Sequence, residues 1–397
     1  MSEIIIQENH KTKERFIRKI TEIQEGQTLD STIIERDIKK LKRLAGIAHA
    51  YYQVSKNADG TYKVIYGIQE NFTIIPSANV FTTNDDEFAF RLGLFEFNAL
   101  GQNIIVGATF QRDIYNSYGL NFKAPYLFSK KLGLSVNYNN LTTLEPVFFD
   151  NSTANYKYNN TSYEISGMYE FDFKNKIRVG GNYFIESYDY RDGAVNDQVP
   201  LSLEVHKILY KAVYEYNSIE SYYQYHDGFK STFNFQYVTS TDQTLPDFII
   251  GWNDFNYFKR IGEKGNWANR LRLGVASNND TPFAPFAVDN NLNIRGVGNT
   301  IDRGTAAIIL NTEYRHTLID KDWFSLQGNV FVDGGSWRNP GGDFGDFGDS
   351  QNLRIYPGLG IRLIHKTIFN AIFRIDYGYG VTDDATSGFV FGIGQYF

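Results

Sequence analysis

Residue types that make and break bonds are thinly spread along this 397-residue chain. Cysteine is absent, which removes disulfide frameworks, thiolate zinc sites and thiol nucleophiles together. The six histidines, His10, His49, His206, His226, His316 and His365, are scattered without metal-ligand spacing. No Gly-x-Ser-x-Gly element and no phosphate-cradling glycine loop occurs. The run from Gly342 to Asp349 is rich in Asp, but it lacks the closing Glu of a calcium loop and reads as a solvated acidic segment. Carboxylates are abundant, yet no pair is singled out as acid and base. No catalytic residue, metal or cofactor is therefore expected. What stands out is material for charge pairing. The segment from Asn291 to Gly304 contains Ile294-Arg295-Gly296, and Glu313-x-Arg315 and Phe331-x-Asp333-x-Gly335 follow. A guanidinium withdrawn from bulk water needs carboxylate partners, and its planar fork suits a bidentate one. Gly296 and Gly298 let the backbone turn tightly and approach a wall. Read alone, the step suits an ordinary surface loop with an exposed arginine better.

The elements that must position these residues divide into two regions. Residues 1–71 read as a small α+β unit in the order β-α-α-β-β. Ile4-Ile5-Ile6 forms a strand, Thr12 to Glu22 a helix, and Gly26 a break. Asp30 or Ser31 caps a second helix whose Ile34, Ile38, Leu41 and Leu44 recur at helical spacing. Its outer face, Lys39, Lys40, Lys42 and Arg43, reads as solvated. Strands at Ala48 to Lys56 and Thr61 to Glu70 close the unit.

Residues 72–397 show no convincing helix. Aromatics make up 16% of the chain, with 28 Tyr and 32 Phe, yet the mean hydropathy is −0.37. That excludes a disordered chain, and no run of about 18 apolar residues offers a helical membrane span. The net charge of −6 argues against a nucleic-acid partner. Tight turns bearing Lys recur about every 45 residues, and long segments rich in Asp, Asn and Gly lie midway between them. Alternation of short turns with long loops is the layout of an up-and-down transmembrane barrel of roughly 16 strands. A soluble propeller shares the period but not the alternation. Apolar residues on one face oppose charges on the other: Ile308 and Leu310 against Asn311 and Glu313, Val330 and Val332 against Asp333, Phe373 and Ile375 against Arg374 and Asp376. Phe389, Phe391, Ile393 and the terminal Phe397 are expected on the lipid face of the last strand. No export signal is legible in the first residues, so the chain is read as a mature or a trimmed form.

The pieces of the last third resemble the BamA-type outer-membrane assembly factors. Ile294-Arg295-Gly296 falls in the sixth long loop, between about strands 11 and 12. Glu313-x-Arg315, Phe331-x-Asp333-x-Gly335 and the ending Gly392-Ile-Gly394-Gln-Tyr-Phe397 match the family's remaining signatures. Residues 1–71, with Lys11-Thr12, Gly26, Leu29, Asp37, Leu41 and Glu70, resemble a POTRA domain. One position departs, since Val297 stands where the family usually has an aromatic. The resemblance implies a mostly β protein, a 16-stranded antiparallel transmembrane barrel preceded by one POTRA-like domain, in a bacterial outer membrane with that domain in the periplasm. It implies that Arg295, Gly296, Glu313 and Asp333 lock the loop into the lumen. It further implies a lateral seam and C-terminal signal at Gly388, Gly392, Gly394 and Phe397. The partners implied are unfolded outer-membrane proteins, periplasmic lipoproteins and lipid. A polypeptide-secretion pore of the same superfamily is the alternative, although such pores usually carry two POTRA domains and a plug helix. A passive porin and a barrel enzyme follow behind.

Overall fold

The computed structural model describes residues 1–82, 88–149, 152–195, 200–222, 224–242, 245–280, 284–288, 293–297, 302–369, 371–383 and 385–397. Gly298 and parts of the acidic segments, including Asp85, Asp86, Asp150 and Asp384, lie outside the described residues.

In the N-terminal unit, β1 (Glu3–Gln7) runs parallel to β3 (Tyr62–Glu70), and β2 (Ile47–Lys56) pairs antiparallel to β3 on its other side. The helices α1 (Glu14–Ile20) and α2 (Ser31–Leu41) carry the core, with Phe16, Ile17, Ile20, Ile34, Ile38 and Leu41 buried. Asp30 caps α2 by accepting from the Thr32 backbone N–H at 2.8 Å. Glu70 accepts the backbone N–H groups of His10, Lys11 and Thr12. Burial alone would raise its carboxyl, and these donors hold it below the usual range instead.

The remainder is a nearly closed antiparallel barrel of sixteen strands. They are β4 (Ile74–Thr82), β5 (Phe88–Ala99), β6 (Ile104–Arg112), β7 (Asn116–Ala124), β8 (Leu132–Phe149), β9 (Ser152–Glu170), β10 (Asn175–Gly193), β11 (Ser202–Asn217), β13 (Tyr225–Ser240), β14 (Phe248–Ile261), β15 (Gly265–Ala276), β18 (Ala306–Asp320), β19 (Phe324–Arg338), β20 (Leu353–His365), β21 (Ile372–Tyr379) and β22 (Ser387–Ile393). A short β12 (Glu220–Tyr222) extends one turn, and β16 (Phe286–Val288) pairs with β17 (Asp302–Gly304) inside the long loop. The period-2 pattern sets the two faces. Leu310, Val330, Leu359, Phe373 and Phe391 point outward and exposed, while Glu313, Asp333, Arg362, Arg374 and Asp376 point inward and buried. An outward apolar band around a polar interior is the arrangement a bilayer requires.

The cationic face of α2 and the residues after it differ from expectation in part: Lys40 and Arg43 are docked on the turns of the barrel, while Lys39 and Lys42 stay exposed. Arg43 donates to the carbonyls of Phe173, Asn217 and Ile219 at 2.7 to 3.2 Å, and its guanidinium lies 3.7 Å from the Phe173 ring centre. Lys40 pairs with Glu170 at 2.9 Å and Lys39 with Glu220 at 2.5 Å. The Lys39 ammonium holds Glu220 below the usual carboxylate range. Tyr126, from the turn after β7, is buried in the small unit's core. A row of lysines and arginines has the same composition on a solvated face and on one that meets turn carbonyls, so sequence alone does not separate the two.

Candidate lumen lock and closing seam

The long loop between β15 and β18 folds into the barrel and buries Arg295 completely. The register of β18 with β19 pairs Asn311 with Asp333 and Glu313 with Phe331, so both carboxylates face the lumen two positions apart. Arg295 Nε and Nη2 donate to the two oxygens of Asp333 at 2.8 and 2.9 Å, and Nη1 donates to Glu313 Oε2 at 2.6 Å. The Arg295 backbone N–H adds a bond to Asp333 at 2.9 Å. The fork thus takes one carboxylate bidentately and a second end-on, the geometry in which a buried ion pair offsets its desolvation.

Further residues complete the cluster. Glu313 also pairs with Arg315, and with Arg362 at 3.1 Å. Asp376 lies 3.2 Å from Arg362, 3.2 Å from Arg374 and 3.6 Å from Arg295. With Val297 in place of an aromatic, the π faces come from elsewhere. Arg295 lies 3.6 Å from the Phe331 ring centre and 4.7 Å from that of Tyr396. Val297 instead joins Val288, Ile294, Ile309, Trp337 and Tyr356 in an apolar cluster that seats the loop. Gly296 has φ +99°, and a Cβ there would lie 2.7 Å from the Cα of Gly378. Gly378 is equally constrained, because its Cβ would fall 2.2 Å from the Arg295 carbonyl oxygen. The loop also reaches toward the last strand, where Thr386 Oγ1 donates to the Val297 carbonyl at 2.8 Å.

Gly378, Arg362, Thr386 and Tyr396 were not singled out from the sequence. Asp376 and Arg374 were legible only as inward-facing charges. The one available signal for Gly378 was a glycine in the polar register of a strand, which marks a close backbone approach.

The last strand is shorter than expected. β22 pairs with β21 from Ser387 to Ile393 and then stops. Gly388 and Gly392 lie within it, and Gly394 does not. Gly394 has φ +94°, a conformation that takes the chain out of the wall. Tyr396 is buried, and the Phe397 ring lies 5.7 Å from the guanidiniums of Arg270 and Arg315. Phe397 therefore does not share the lipid face with Phe389 and Phe391. The aromatic rings follow the lumen's arginines, which lipid does not supply.

A family model described as the Omp85 superfamily domain matches residues 98–397, and one for POTRA, the surface antigen variable number repeat, matches residues 1–71. No curated protein sequence matches. Among solved structures, BamA from Haemophilus ducreyi lacking POTRA domains 1–3 is 16% identical with a TM-score of 0.60, over 99% of this chain and 84% of that one. CdiB from Acinetobacter baumannii is 14% identical with a TM-score of 0.64, over 100% and 74%. CdiB from Escherichia coli is 11% identical with a TM-score of 0.64, over 99% and 76%.

Proposed function

The chain belongs to the Omp85 superfamily, and on that premise we propose that it assists the insertion and assembly of other outer-membrane proteins. In this reading the barrel, residues 72–397, lies in a bacterial outer membrane, and residues 1–71 lie in the periplasm. The observation that carries the reading is the closure of the barrel. It is made by β22, seven residues long and the shortest of the sixteen strands. An unpaired edge is very costly in lipid. A seam that opens between β22 and β4 therefore gains by pairing with an incoming strand, and it templates the client's first hairpin. Gly388 and Gly392 leave little side chain to pack across that seam. Arg295, Gly296, Glu313 and Asp333 hold the loop against the lumen wall beside it.

The N-terminal unit supports the same reading. β2 is at the edge of its three-stranded sheet, so it offers backbone groups for strand addition by an unfolded client or a periplasmic lipoprotein partner. No cofactor or covalent step is required. The test is a disulfide engineered between β4 and β22. Oxidation is expected to abolish client insertion into vesicles, and reduction to restore it. An oxidised protein that still inserts clients refutes the seam. Depletion in cells separates the alternatives: broad loss of barrel proteins supports assembly, while loss of a single exported polypeptide supports a secretion pore.

A further inference from the structure

On the wall away from the lock, the charges of the lumen do not balance. In the half nearest the N-terminal unit, β7, β10, β11 and β13 turn Lys123, Lys176, Arg178, Lys211 and Lys230 inward, while the alternate residues Leu120, Val179, Tyr210 and Phe233 face out. The carboxylates facing these cations are Glu164, Glu170 and Glu215, and each already holds a lysine. Lys211 pairs with Glu164, Lys176 with Glu170 at 3.3 Å, and Lys230 with Glu215 at 3.2 Å. Lys40 takes Glu170 as well, at 2.9 Å. Lys123 and Arg178 are left over, and the register gives the reason. Lys123 lies between Ile105 and Ser135, and Arg178 between Met168 and Val213, none of which carries a charge. Neither cation forms an ion pair or a side-chain hydrogen bond among the described residues. The charges acting on Lys123 are those of Arg178, Lys176 and Lys230, against the single carboxylate of Glu215.

We infer that Lys123 and Arg178 form a binding site for a soluble phosphate-type oxyanion. They line one cleft of about 310 Å³ together with Lys176, Glu215, Thr232 and Asn234, at the lower end of the range for small-ligand sites. An unpaired cation held out of bulk water is costly, and a counter-anion offsets that cost. Phosphate suits these groups. The Arg178 fork takes two of its oxygens, the Lys123 ammonium a third as a point charge, and the Thr232 hydroxyl donates to the last. Its two negative charges match the two cations left over, while Glu215 stays neutralised by Lys230. A carboxylate ligand has too few oxygens to meet all three donors. The hydrogen-bonded ladder is continuous from β7 through β13, so lipid outside the wall does not reach the cleft. The anion comes from solution, through the lumen.

The test is calorimetric titration of inorganic phosphate into the full chain in phosphatidylcholine vesicles, in a buffer low in salt. One site per chain is expected. Arg178→Gln and Lys123→Gln should each weaken phosphate on the order of tenfold, and Arg178→Lys by less than Arg178→Gln. Lys56→Gln, at the exposed end of β2, should leave the affinity unchanged. Removing an unpaired cation relieves the wall, so both Gln variants should fold and, without phosphate, resist heat at least as well as the unaltered protein. Phosphate should raise the melting temperature of the unaltered protein, and acetate should raise it less. If a Gln variant fails to fold, that comparison of anions decides. An unaltered protein that does not bind phosphate overturns the inference, as do Gln variants of unchanged affinity or a loss in Lys56→Gln as large as theirs. Acetate that stabilises as strongly as phosphate overturns it too. Binding that appears only when phosphatidic acid replaces part of the vesicle lipid also overturns it, because the phosphate group then belongs to a lipid.

Discussion

Replacing Arg295 by Met keeps the bulk of the side chain and removes the charge from the lumen lock. The consequences fall unevenly on its partners. Glu313 keeps Arg315 and Arg362, and Asp376 keeps Arg362 and Arg374. Asp333 loses both guanidinium bonds and keeps the backbone N–H of residue 295. A buried carboxylate stripped of its charged partner costs about 3 to 5 kcal/mol. With one donor retained, about 3 kcal/mol is expected, which shifts the balance between docked and released loop on the order of a hundredfold. The strand ladders do not involve this side chain, so the barrel itself should persist. Limited trypsin digestion reads the loop through Arg303, with intact barrel followed by its heat-modifiable mobility in gels. The Met variant should be cut at Arg303 far faster than the unaltered protein, and Arg295→Lys should fall between them because an ammonium cannot make the bidentate contact. Protection of the loop in the Met variant equal to that of the unaltered protein would refute the assignment of Arg295 as the pin.

Two further outcomes test other contacts. Gly378→Ala places a methyl 2.2 Å from the Arg295 carbonyl, a backbone atom that cannot swing away. It should release the loop in the same digestion, at a cost of about 1 to 3 kcal/mol. Gly328→Ala meets only a Leu318 side chain at 3.4 Å and serves as its silent control. Arg43→Ala removes three hydrogen bonds to turn carbonyls and the stack on Phe173. It should weaken docking of the N-terminal unit by about 1.5 to 3 kcal/mol, seen as a broadened distance distribution between spin labels on the unit and the barrel.

The barrel was legible because its signal repeats. Each strand states its two faces, and Ile308, Leu310, Val330 and Val332 alternate with lumen residues as the period demands. The small unit was legible for the same reason, through Ile34, Ile38 and Leu41 on one helix face. The composition of the lumen cluster was only partly so. Asp376 and Gly378 join Arg295 across more than 80 residues of sequence, and only the strand register brings them there. Turn lengths do not fix that register. The inward path of Tyr396 and Phe397 depends on the sign of φ at Gly394, which a glycine leaves open. The docking of Lys40 and Arg43 is not legible in the sequence because their partners, Glu170 and the turn carbonyls of Phe173, Asn217 and Ile219, are set by how the two regions meet and not by a local pattern.

The wall is not equally tall all the way round. β9 and β10 have 19 residues each, whereas β4 has nine, β21 eight and β22 seven. A tilted strand needs about 9 to 11 residues to cross the hydrocarbon core. On the proposed reading that the barrel spans a bilayer, β21 and β22 fall short of that length, and lipid beside them is expected to thin to meet them, at fractions of a kcal/mol per ångström. The elastic cost to the membrane is then greatest beside the seam. On the same reading, a client crossing beside the seam meets a shallower apolar layer than one beside β9 and β10, and thicker bilayers should make the crossing harder.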